Sequence, residues 1–598
     1  MSSDEPAEWA AGLADAFTYQ EDVRATRREL ARTKRRAGAA EKELSQLRRS
    51  LWWRASGPIR RRSRKRAAGA PKRTIEVGAP EPGRRGPKKV HVDRPHAPQA
   101  GLPSPASALS QRICSVLSAY NVPAPALTTA DFRLPAAIEA VSALVSSRPE
   151  DRELAWLTFI AIAARFPRSE DMLRFHTDIQ VAGAPAAIAH VLANQTDAKG
   201  SWANTAELEL VSSVVVDPTS TAHRDSHTGI QRVVRETTSR WLDQRSIALM
   251  VWGGGHVFRP PTPVETWRST DFVPKSRPKF DNGQVHPNRI RVPWRTVVVV
   301  PEPTSQLGRA QALECLADWS TNEVTAIFYD AIMYMLPETL NDSSRIGLSN
   351  FVPTIRSAKR ISTISASVGI DLVHLLSAVE NLGLAMPRIE SNLLPIEAPT
   401  PTRAQLEADR NRLEGVPGLP IVLSVGSIEP RKNQLMTLRA AQKLWREGLQ
   451  FQLLFIGWGS WQSDGIVAEV DRAREEGRPV RIIRRADEPL LWSAYSIARI
   501  SVYISVAEGY GLPIAESLAT GTPVITSNYG SMAEVAQHGG ALTVDPRSLN
   551  EVSDAMRRLL TDDAAVEKLI GDIGRDDVRT WDDYATETWE WLVNAQSD

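Results

Sequence analysis

The sequence has few of the features that mark secreted, metal-binding or membrane-spanning proteins. Only two cysteines, Cys114 and Cys315, occur among 598 residues, so neither a disulfide framework nor a cysteine-based metal site is expected. The first ten residues are acidic and lack the apolar core of a signal peptide. The longest nearly apolar run, 154–164, is too short to span a bilayer. We therefore expect a cytoplasmic protein of three or four domains.

The charges are unevenly distributed along the chain. The net charge is only +2, but residues 21–94 contain 24 Lys or Arg and 8 acidic residues. Apolar residues recur every seven positions within 1–66, which predicts a helix with a weak coiled-coil seam. A homodimer formed through 21–52 is one consequence of such a seam.

A basic aromatic segment, residues 50–66, ends this helix. Trp52 and Trp53 precede a dense cluster of arginines there. Such a segment suits an anionic membrane surface at the inner face of the cell membrane. A solvated tail and a nucleic-acid phosphate backbone are the alternatives. The membrane surface is favoured, and no nucleic-acid partner is expected because no nucleic-acid-binding module accompanies the segment.

Two further segments precede the informative part of the chain. Residues 67–108 are rich in Pro, Gly, Ala and basic residues, so they are predicted to form a disordered linker. Residues 109–203 place apolar residues at helical spacing and are predicted to form a small helical domain. We assign this domain a packing or partner role and no chemistry.

The remainder of the chain alternates β-branched runs with amphipathic helical patterns, which is typical of buried parallel strands. The predicted strands are 210–217, 246–252, 295–301, 323–330, 419–426, 451–457, 499–505 and 522–527. Two such series predict two doubly wound α/β domains, 208–395 and 404–575. A closing helix within 576–598 is placed to pack back on the first of them.

A basic motif follows the first predicted strand of the second domain. In the segment 424–434, that strand ends at Gly426, and Arg431 and Lys432 stand before a helix predicted at 433–445. Cations beside a helix N-terminus suit a diphosphate, although a basic pair at this place is usually a solvated turn.

An acidic motif follows a later strand of the same domain, in the segment 507–525. Glu508 lies on the predicted loop and Glu516 in the first turn of the next helix. Gly509 and Gly511 allow the backbone to approach a ligand closely. We expect both carboxylates to point into one crevice and to accept hydrogen bonds from sugar hydroxyls.

These residues resemble a known family. The segment EGYGLPIAESLATGTPVI (508–525) is similar to the signature of family-4 retaining glycosyltransferases, which have the GT-B fold of two Rossmann-like domains facing a cleft. Accompanying elements are GSIEPRKNQ (426–434), FIGWGSW (455–461), ADEPLLWSAYSIARISVYIS (486–505), MAEVAQHGGALTVDP (532–546) and TWDDYATETW (580–589). The N-terminal half resembles a subset acting on surface polysaccharides, often mannosyl or deoxyhexosyl transferases, in HTGIQRVVRE (227–236), FYDAIMYMLPE (328–338) and ISTISASVGIDL (361–372).

The resemblance implies a retaining transferase that moves a hexose, such as mannose, or a deoxyhexose. The donor is expected to be a nucleoside-diphosphate sugar, GDP-linked sugars included, and the acceptor a glycan or lipid-linked glycan of the cell envelope. No cofactor and no metal is expected.

The resemblance also assigns residues. Glu516 is expected to bind the donor ribose, Glu508 to lie near the transferred sugar, and Lys432 to neutralise the departing diphosphate. The other residues implied for catalysis are Arg431 and Asp330, and those implied for backbone contact with the donor are Gly509, Tyr510, Gly511, Leu512, Gly229 and Gly426.

The chain departs from the family pattern at three positions. Ser427 stands where many relatives have Arg, Ile504 where they often have Pro, and Tyr329 where they often have His. We expect Arg431 to compensate for the missing charge at position 427. Another enzyme on the same architecture, such as an epimerase or a phosphorylase, and a non-catalytic scaffold are the alternatives to a transferase.

Overall fold

The computed structural model describes residues 104–124, 130–194, 202–225, 228–271, 288–339, 350–381, 385–395, 397–457, 459, 463–574 and 579–595. All of them lie in one compact unit that spans residues 97–598. The predicted coiled helix, the basic segment 50–66 and the linker up to residue 103 lie outside the described residues. None of the described helices is both long and apolar enough to cross a membrane.

The described chain begins with a layer of helices, α1 (Pro105–Ala119), α2 (Ala130–Ser147), α3 (Arg152–Ala163), α4 (Ser169–Ala182) and α5 (Ala184–Ala193). The predicted linker end at 108 is wrong, because the Ser104 hydroxyl caps α1 and Pro105 occupies its first turn. The ring of Phe166 lies 5.1 Å from that of Phe258, and Arg112 donates to the Ala206 carbonyl at 2.8 Å. These helices therefore pack on the following sheet domain and share its apolar core.

The first sheet domain contains β1 (Glu207–Val211), β2 (Val214–Val216), α6 (Thr219–Ala222), α7 (Gly229–Gln244), β3 (Ile247–Leu249), β4 (Val251–Gly253), β5 (Val257–Arg259), α8 (Pro263–Thr270), β6 (Arg289–Pro293), β7 (Val297–Val300), α9 (Leu307–Trp319), β8 (Glu323–Phe328), α10 (Ile332–Met335), α11 (Val352–Ser357), β9 (Arg360–Thr363), α12 (Ala366–Asn381) and β10 (Arg388–Ser391). Its main sheet is parallel, in the order β10-β9-β8-β7-β2-β3.

The second sheet domain contains α13 (Arg403–Leu413), β11 (Ile421–Val425), α14 (Gln434–Arg446), β12 (Gln452–Ile456), α15 (Asp464–Glu475), β13 (Val480–Ile483), α16 (Glu488–Ile497), β14 (Ile500–Tyr503), α17 (Leu512–Ala519), β15 (Val524–Ser527), α18 (Gly530–Ala536), β16 (Ala541–Val544), α19 (Leu549–Thr561) and α20 (Asp563–Asp572). Its sheet is also parallel, in the order β13-β12-β11-β14-β15-β16. Two six-stranded parallel sheets with helices between their strands confirm the GT-B fold class.

Two of the predicted strands are wrong as single elements. The run 210–217 divides into the end of β1, which pairs with β6, and β2, which belongs to the main sheet. Ser212 and Ser213 separate the two strands. The run 246–252 divides likewise into β3 and β4, and β4 forms an antiparallel pair with β5.

The chain closes with α21 (Trp581–Trp589), which returns from the second domain to the first. The indole N–H of Trp241 in α7 donates to the Ala585 carbonyl at 2.8 Å, and Trp591 donates to the Ile361 carbonyl at 2.9 Å. Apolar residues of both sheet domains and of α21 form one buried cluster. The closing helix therefore ties the two domains together.

Candidate active site

The site lies where the strand order of the second domain reverses. The strands β11 and β14 are neighbours at this point, and their following helices depart in opposite directions along the sheet. Ligands of open parallel sheets bind at the carboxyl ends of the strands at such a reversal. Lys432 follows β11 and Glu508 follows β14, so the topology brings the basic and acidic motifs together.

A sharp turn directs Lys432 into the cleft. Residues Pro430–Lys432 form one turn of 3₁₀ helix, and Asn433 then adopts a left-handed conformation with φ of 58°. Asparagine tolerates this conformation better than most residues, and its side chain also donates to the Pro546 carbonyl at 2.8 Å. The following helix begins at Gln434, one residue later than predicted.

Glu508 is held by a cluster of hydrogen-bond donors. The Lys432 Nζ lies 2.6 Å from Glu508 Oε1, and Arg431 lies 2.8 Å from the same oxygen. Ser505 donates to it at 2.5 Å, and Lys432 also donates to the Tyr503 hydroxyl at 2.5 Å. Burial alone would raise the pKa of Glu508, but Lys432 and Arg431 outweigh it and hold that pKa at about 2.

Arg431 anchors the loop that carries Glu508. Besides Glu508, its guanidinium binds the Ala507 carbonyl at 2.6 Å and the Glu429 carboxylate at 2.8 Å. Ser427 donates to the same Glu429 oxygen at 3.0 Å. Three protein acceptors therefore engage the guanidinium, and its contacts hold the loop in place.

The first domain reaches the same cluster through Tyr329 and Asp330. A Cβ added to Gly509 would lie 2.0 Å from the Tyr329 carbonyl oxygen, so the two backbones meet where only glycine fits. Desolvation raises the pKa of Asp330, and the charges of Arg431 and Lys432 oppose that rise. Asp330 therefore lies within the electrostatic reach of the cation pair, and its Oδ1 accepts from the Ile332 backbone at 3.1 Å.

Glu516 lies in a second polar cluster. It occupies the second turn of α17, one turn later than predicted, because the helix begins at Leu512. Its Oε2 accepts from the Tyr495 hydroxyl at 3.0 Å, and its Oε1 lies 3.2 Å from Arg232 of α7. Desolvation raises the pKa of Glu516, with Arg232 opposing the rise. The two glutamates thus contact different side chains.

Two helix N-termini meet at the cleft. Gly511 precedes α17 with φ of 110°, a conformation that favours glycine. A Cβ on Gly229, the first residue of α7, would lie 2.9 Å from Leu512 Cδ1. The two positive helix ends therefore face the same part of the cleft.

The remaining predicted backbone positions line the sheet edge. Gly426 has φ of 142°, and its carbonyl would lie 1.8 Å from a Cβ on Gly457. The side chain of Tyr510 is buried, and its hydroxyl donates to the Leu394 carbonyl at 2.6 Å. Tyr510 therefore presents only its backbone to the cleft.

Comparison with known proteins agrees with this geometry. Residues 407–574 match the family model of glycosyl transferases group 1. The match falls on the second sheet domain.

Relatives of this chain include two Escherichia coli proteins. O-antigen chain mannosyltransferase B is 29% identical over 242 residues, covering 40% of this chain and 61% of the relative. The serotype-specific mannosyltransferase WbdA is 25% identical over 341 residues, covering 54% of this chain and 40% of the relative. The chain thus spans less than two thirds of the length of both.

Sucrose-phosphate synthase from Thermosynechococcus elongatus is one of the solved structures similar to this chain, with a TM-score of 0.45 and 17% identity. The match covers 64% of this chain and 98% of that one. Anabaena Alr3699/HepE in complex with UDP and glucose also has a TM-score of 0.45, with 15% identity and coverage of 64% and 99%.

Polar contacts across the cleft hold the two sheet domains together, and the sequence analysis did not predict them. Ser365 donates to the Gly509 carbonyl at 2.7 Å, next to Glu508. The backbone N–H groups of Ala366 and Ser367, at the start of α12, donate to the Glu534 carboxylate at 2.9 and 3.1 Å.

Three more side chains of the site were also missed. Arg232, Tyr495 and Tyr503 contact the predicted glutamates or Lys432, but each sits within an ordinary helix or strand pattern. Among the described residues, no group of three or more His, Cys, Asp or Glu side chains is arranged to hold a metal ion.

Proposed function

We propose that this chain is a retaining glycosyltransferase. It moves a hexose or deoxyhexose from a nucleoside-diphosphate sugar to a glycan or a lipid-linked glycan. The observation that carries the proposal is the cluster of Lys432, Arg431 and Glu508 at the strand-order reversal of a group 1 glycosyl transferase domain.

The proposed chemistry is stabilisation of the leaving group. Breaking the bond between sugar and phosphate places negative charge on the diphosphate, and groups aimed at that charge act mainly on the transition state. Lys432 and the N-termini of α7 and α17 are the groups that lie at the cleft. Arg431 holds the Glu508 loop, and Glu508 in turn fixes Lys432 and lies beside the sugar.

Closure of the domains supports transfer over hydrolysis. Water in the cleft would compete with the acceptor for the donor sugar. The contacts of Ser365 with Gly509, and of Glu534 with the start of α12, close the cleft beside Glu508. An epimerase would interconvert nucleotide sugars without net release of nucleoside diphosphate, and a phosphorylase would require inorganic phosphate for activity.

The sugar and nucleotide of this proposal are mannose and GDP. Two relatives are named mannosyltransferases, which favours mannose over other hexoses. Thermal-shift measurements of the full chain with GDP-mannose, a GDP-deoxyhexose, UDP-glucose and a dTDP-deoxyhexose test the donor. A ligand at 100 times its Kd stabilises the folded state by about 2.7 kcal/mol, a readily measured shift. A chain that none of these donors stabilises would contradict the proposal.

The basic segment 50–66 supports a second part of the proposal, which concerns where in the cell the protein is located. Its arginines and tryptophans support binding to anionic lipid at the cytoplasmic face, each basic residue contributing about 1 kcal/mol near the surface. We expect co-sedimentation with anionic vesicles, weakened by salt and lost on deletion of 1–66. A full-length chain that ignores anionic vesicles at low salt would contradict the membrane role and leave the transferase proposal intact.

A further inference from the structure

Arg232 links the two sides of the cleft at the Glu516 cluster. It lies one turn after Gly229 on α7, in the first domain, and its NH1 is 3.2 Å from Glu516 Oε1 in the second. The side chain of Arg232 is 28% exposed and that of Glu516 only 13%. The pair is therefore shielded from water more than an ordinary surface ion pair.

Two indole rings flank the guanidinium of Arg232. It lies 5.9 Å from the ring centre of Trp492 on α16 and 5.7 Å from that of Trp581 on α21. Both tryptophans are buried. A guanidinium is weakly hydrated and stacks well on aromatic rings, so this setting fixes its position at little cost.

Glu516 keeps acceptor capacity while it is bound to Arg232. An ionised carboxylate offers about four lone-pair positions. Arg232 contacts one oxygen and the Tyr495 hydroxyl the other, so each oxygen retains a position for a further donor. A ligand with two adjacent hydroxyls can bind there without displacing Arg232.

We propose that Arg232 is a positioning residue of the donor site, contributed by the opposite domain. It holds Glu516 ionised and oriented toward the ribose hydroxyls of a nucleoside diphosphate. The nucleotide end of the site is then complete only when the domains are closed. This inference rests on the proposed function, in which Glu516 binds the ribose.

Calorimetric titration of the full chain tests the inference. GDP and UDP are titrated in parallel, and the nucleotide that binds the wild-type chain more tightly is used for the variants. We expect Arg232→Gln to weaken its binding about 10- to 100-fold, because a charge-assisted contact to Glu516 is lost. Arg232→Lys should restore part of the affinity. Arg240→Gln, on the same helix with the largely exposed partner Asp582, is the matched control and should bind as wild type does.

Two further titrations separate positioning from general structural damage. The double variant Arg232→Gln, Glu516→Gln should bind no more weakly than Glu516→Gln alone, because Arg232 acts through that carboxylate. The 2′,3′-dideoxy form of the nucleotide lacks both hydroxyls, so wild type and Arg232→Gln should bind it equally. A merely structural defect would weaken both nucleotide forms alike.

The outcomes distinguish this inference from the proposed function. Unchanged or tighter binding by Arg232→Gln, with weakened binding by Glu516→Gln, would overturn the role of Arg232 and leave the donor site standing. Losses that multiply in the double variant would also overturn it. Failure of both nucleotides to bind the wild-type chain, or unchanged binding by Glu516→Gln, would instead overturn the proposed donor site.

Discussion

Replacing Lys432 by methionine removes the charge from the centre of the site while retaining a long side chain. The ammonium makes two short contacts, 2.6 Å to Glu508 and 2.5 Å to the Tyr503 hydroxyl, and the side chain is only 11% exposed. Removing one partner of a buried ion pair costs about 3–5 kcal/mol when the other charge is left alone. Here Arg431 remains 2.8 Å from the same carboxylate oxygen, so we expect a stability loss of about 1.5–3 kcal/mol.

The effect of Lys432→Met on catalysis should exceed its effect on stability. Loss of a group aimed at the developing charge lowers kcat about 10²- to 10³-fold. Stability is measured by urea denaturation and kcat by release of nucleoside diphosphate. Lys443→Met is the matched control, since Lys443 donates to Asn550 and Ser553 in the same domain, away from the Glu508 cluster. A Lys432→Met variant with kcat within threefold of wild type would refute the leaving-group role.

The same variant has a predictable response to acid. Because the folded-state pKa of Glu508 is about 2, below its unfolded value of roughly 4.3, its ionisation stabilises the fold above pH 4.3. That contribution is lost as the pH falls toward 2. Without Lys432 this contribution is smaller and the variant is less stable at neutral pH, so acid unfolding followed by tryptophan fluorescence should begin at a higher pH than in wild type. An unchanged acid transition would contradict the assigned ion pair.

Three more perturbations test other parts of the structure. Arg309 is fully buried and binds Asp217 and Glu302, so Arg309→Met should destabilise the fold by about 3–5 kcal/mol in urea denaturation; a loss below 1 kcal/mol would contradict the buried network. Glu534→Gln weakens a carboxylate contact with the N-terminus of α12 worth about 1 kcal/mol, so the radius of gyration from X-ray scattering should increase, whereas an unchanged radius would show that this contact does not hold the domains closed. Gly509→Ala places a Cβ 2.0 Å from the Tyr329 carbonyl, so transfer should be lost while urea stability changes little; retained transfer would show that the domains close differently.

In the second sheet, the four central strands could be predicted from the sequence, but the two edge strands could not. The strands β11 and β12 are buried along almost their whole length, so they appear as continuous apolar runs. The edge strands β13 and β16 are partly exposed, and polar residues interrupt their patterns. The division of 210–217 between two sheets depends on pairing with β6 and β7, which lie about 80 residues further along the chain.

The parts of the site that lie in short sequence motifs could be predicted from the sequence. Lys432 and Glu508 follow strands that the topology makes neighbours, and a glycine pattern surrounds the acidic loop. The contact of Glu534 with the start of α12 joins residues 168 positions apart and forms only when the domains meet. Arg232 likewise looks like a solvated residue on an amphipathic helix until its partner across the cleft is known.

The most direct test of the central claim is a transfer assay with product analysis. The full chain is incubated with GDP-mannose and a mannose-terminated oligosaccharide, and the product linkage is determined by NMR. The account predicts one GDP released per sugar transferred, an α-linked product from the α-linked donor, and transfer severely reduced by both Lys432→Met and Glu516→Gln. A β-linked product, or transfer undiminished in both variants, would contradict it.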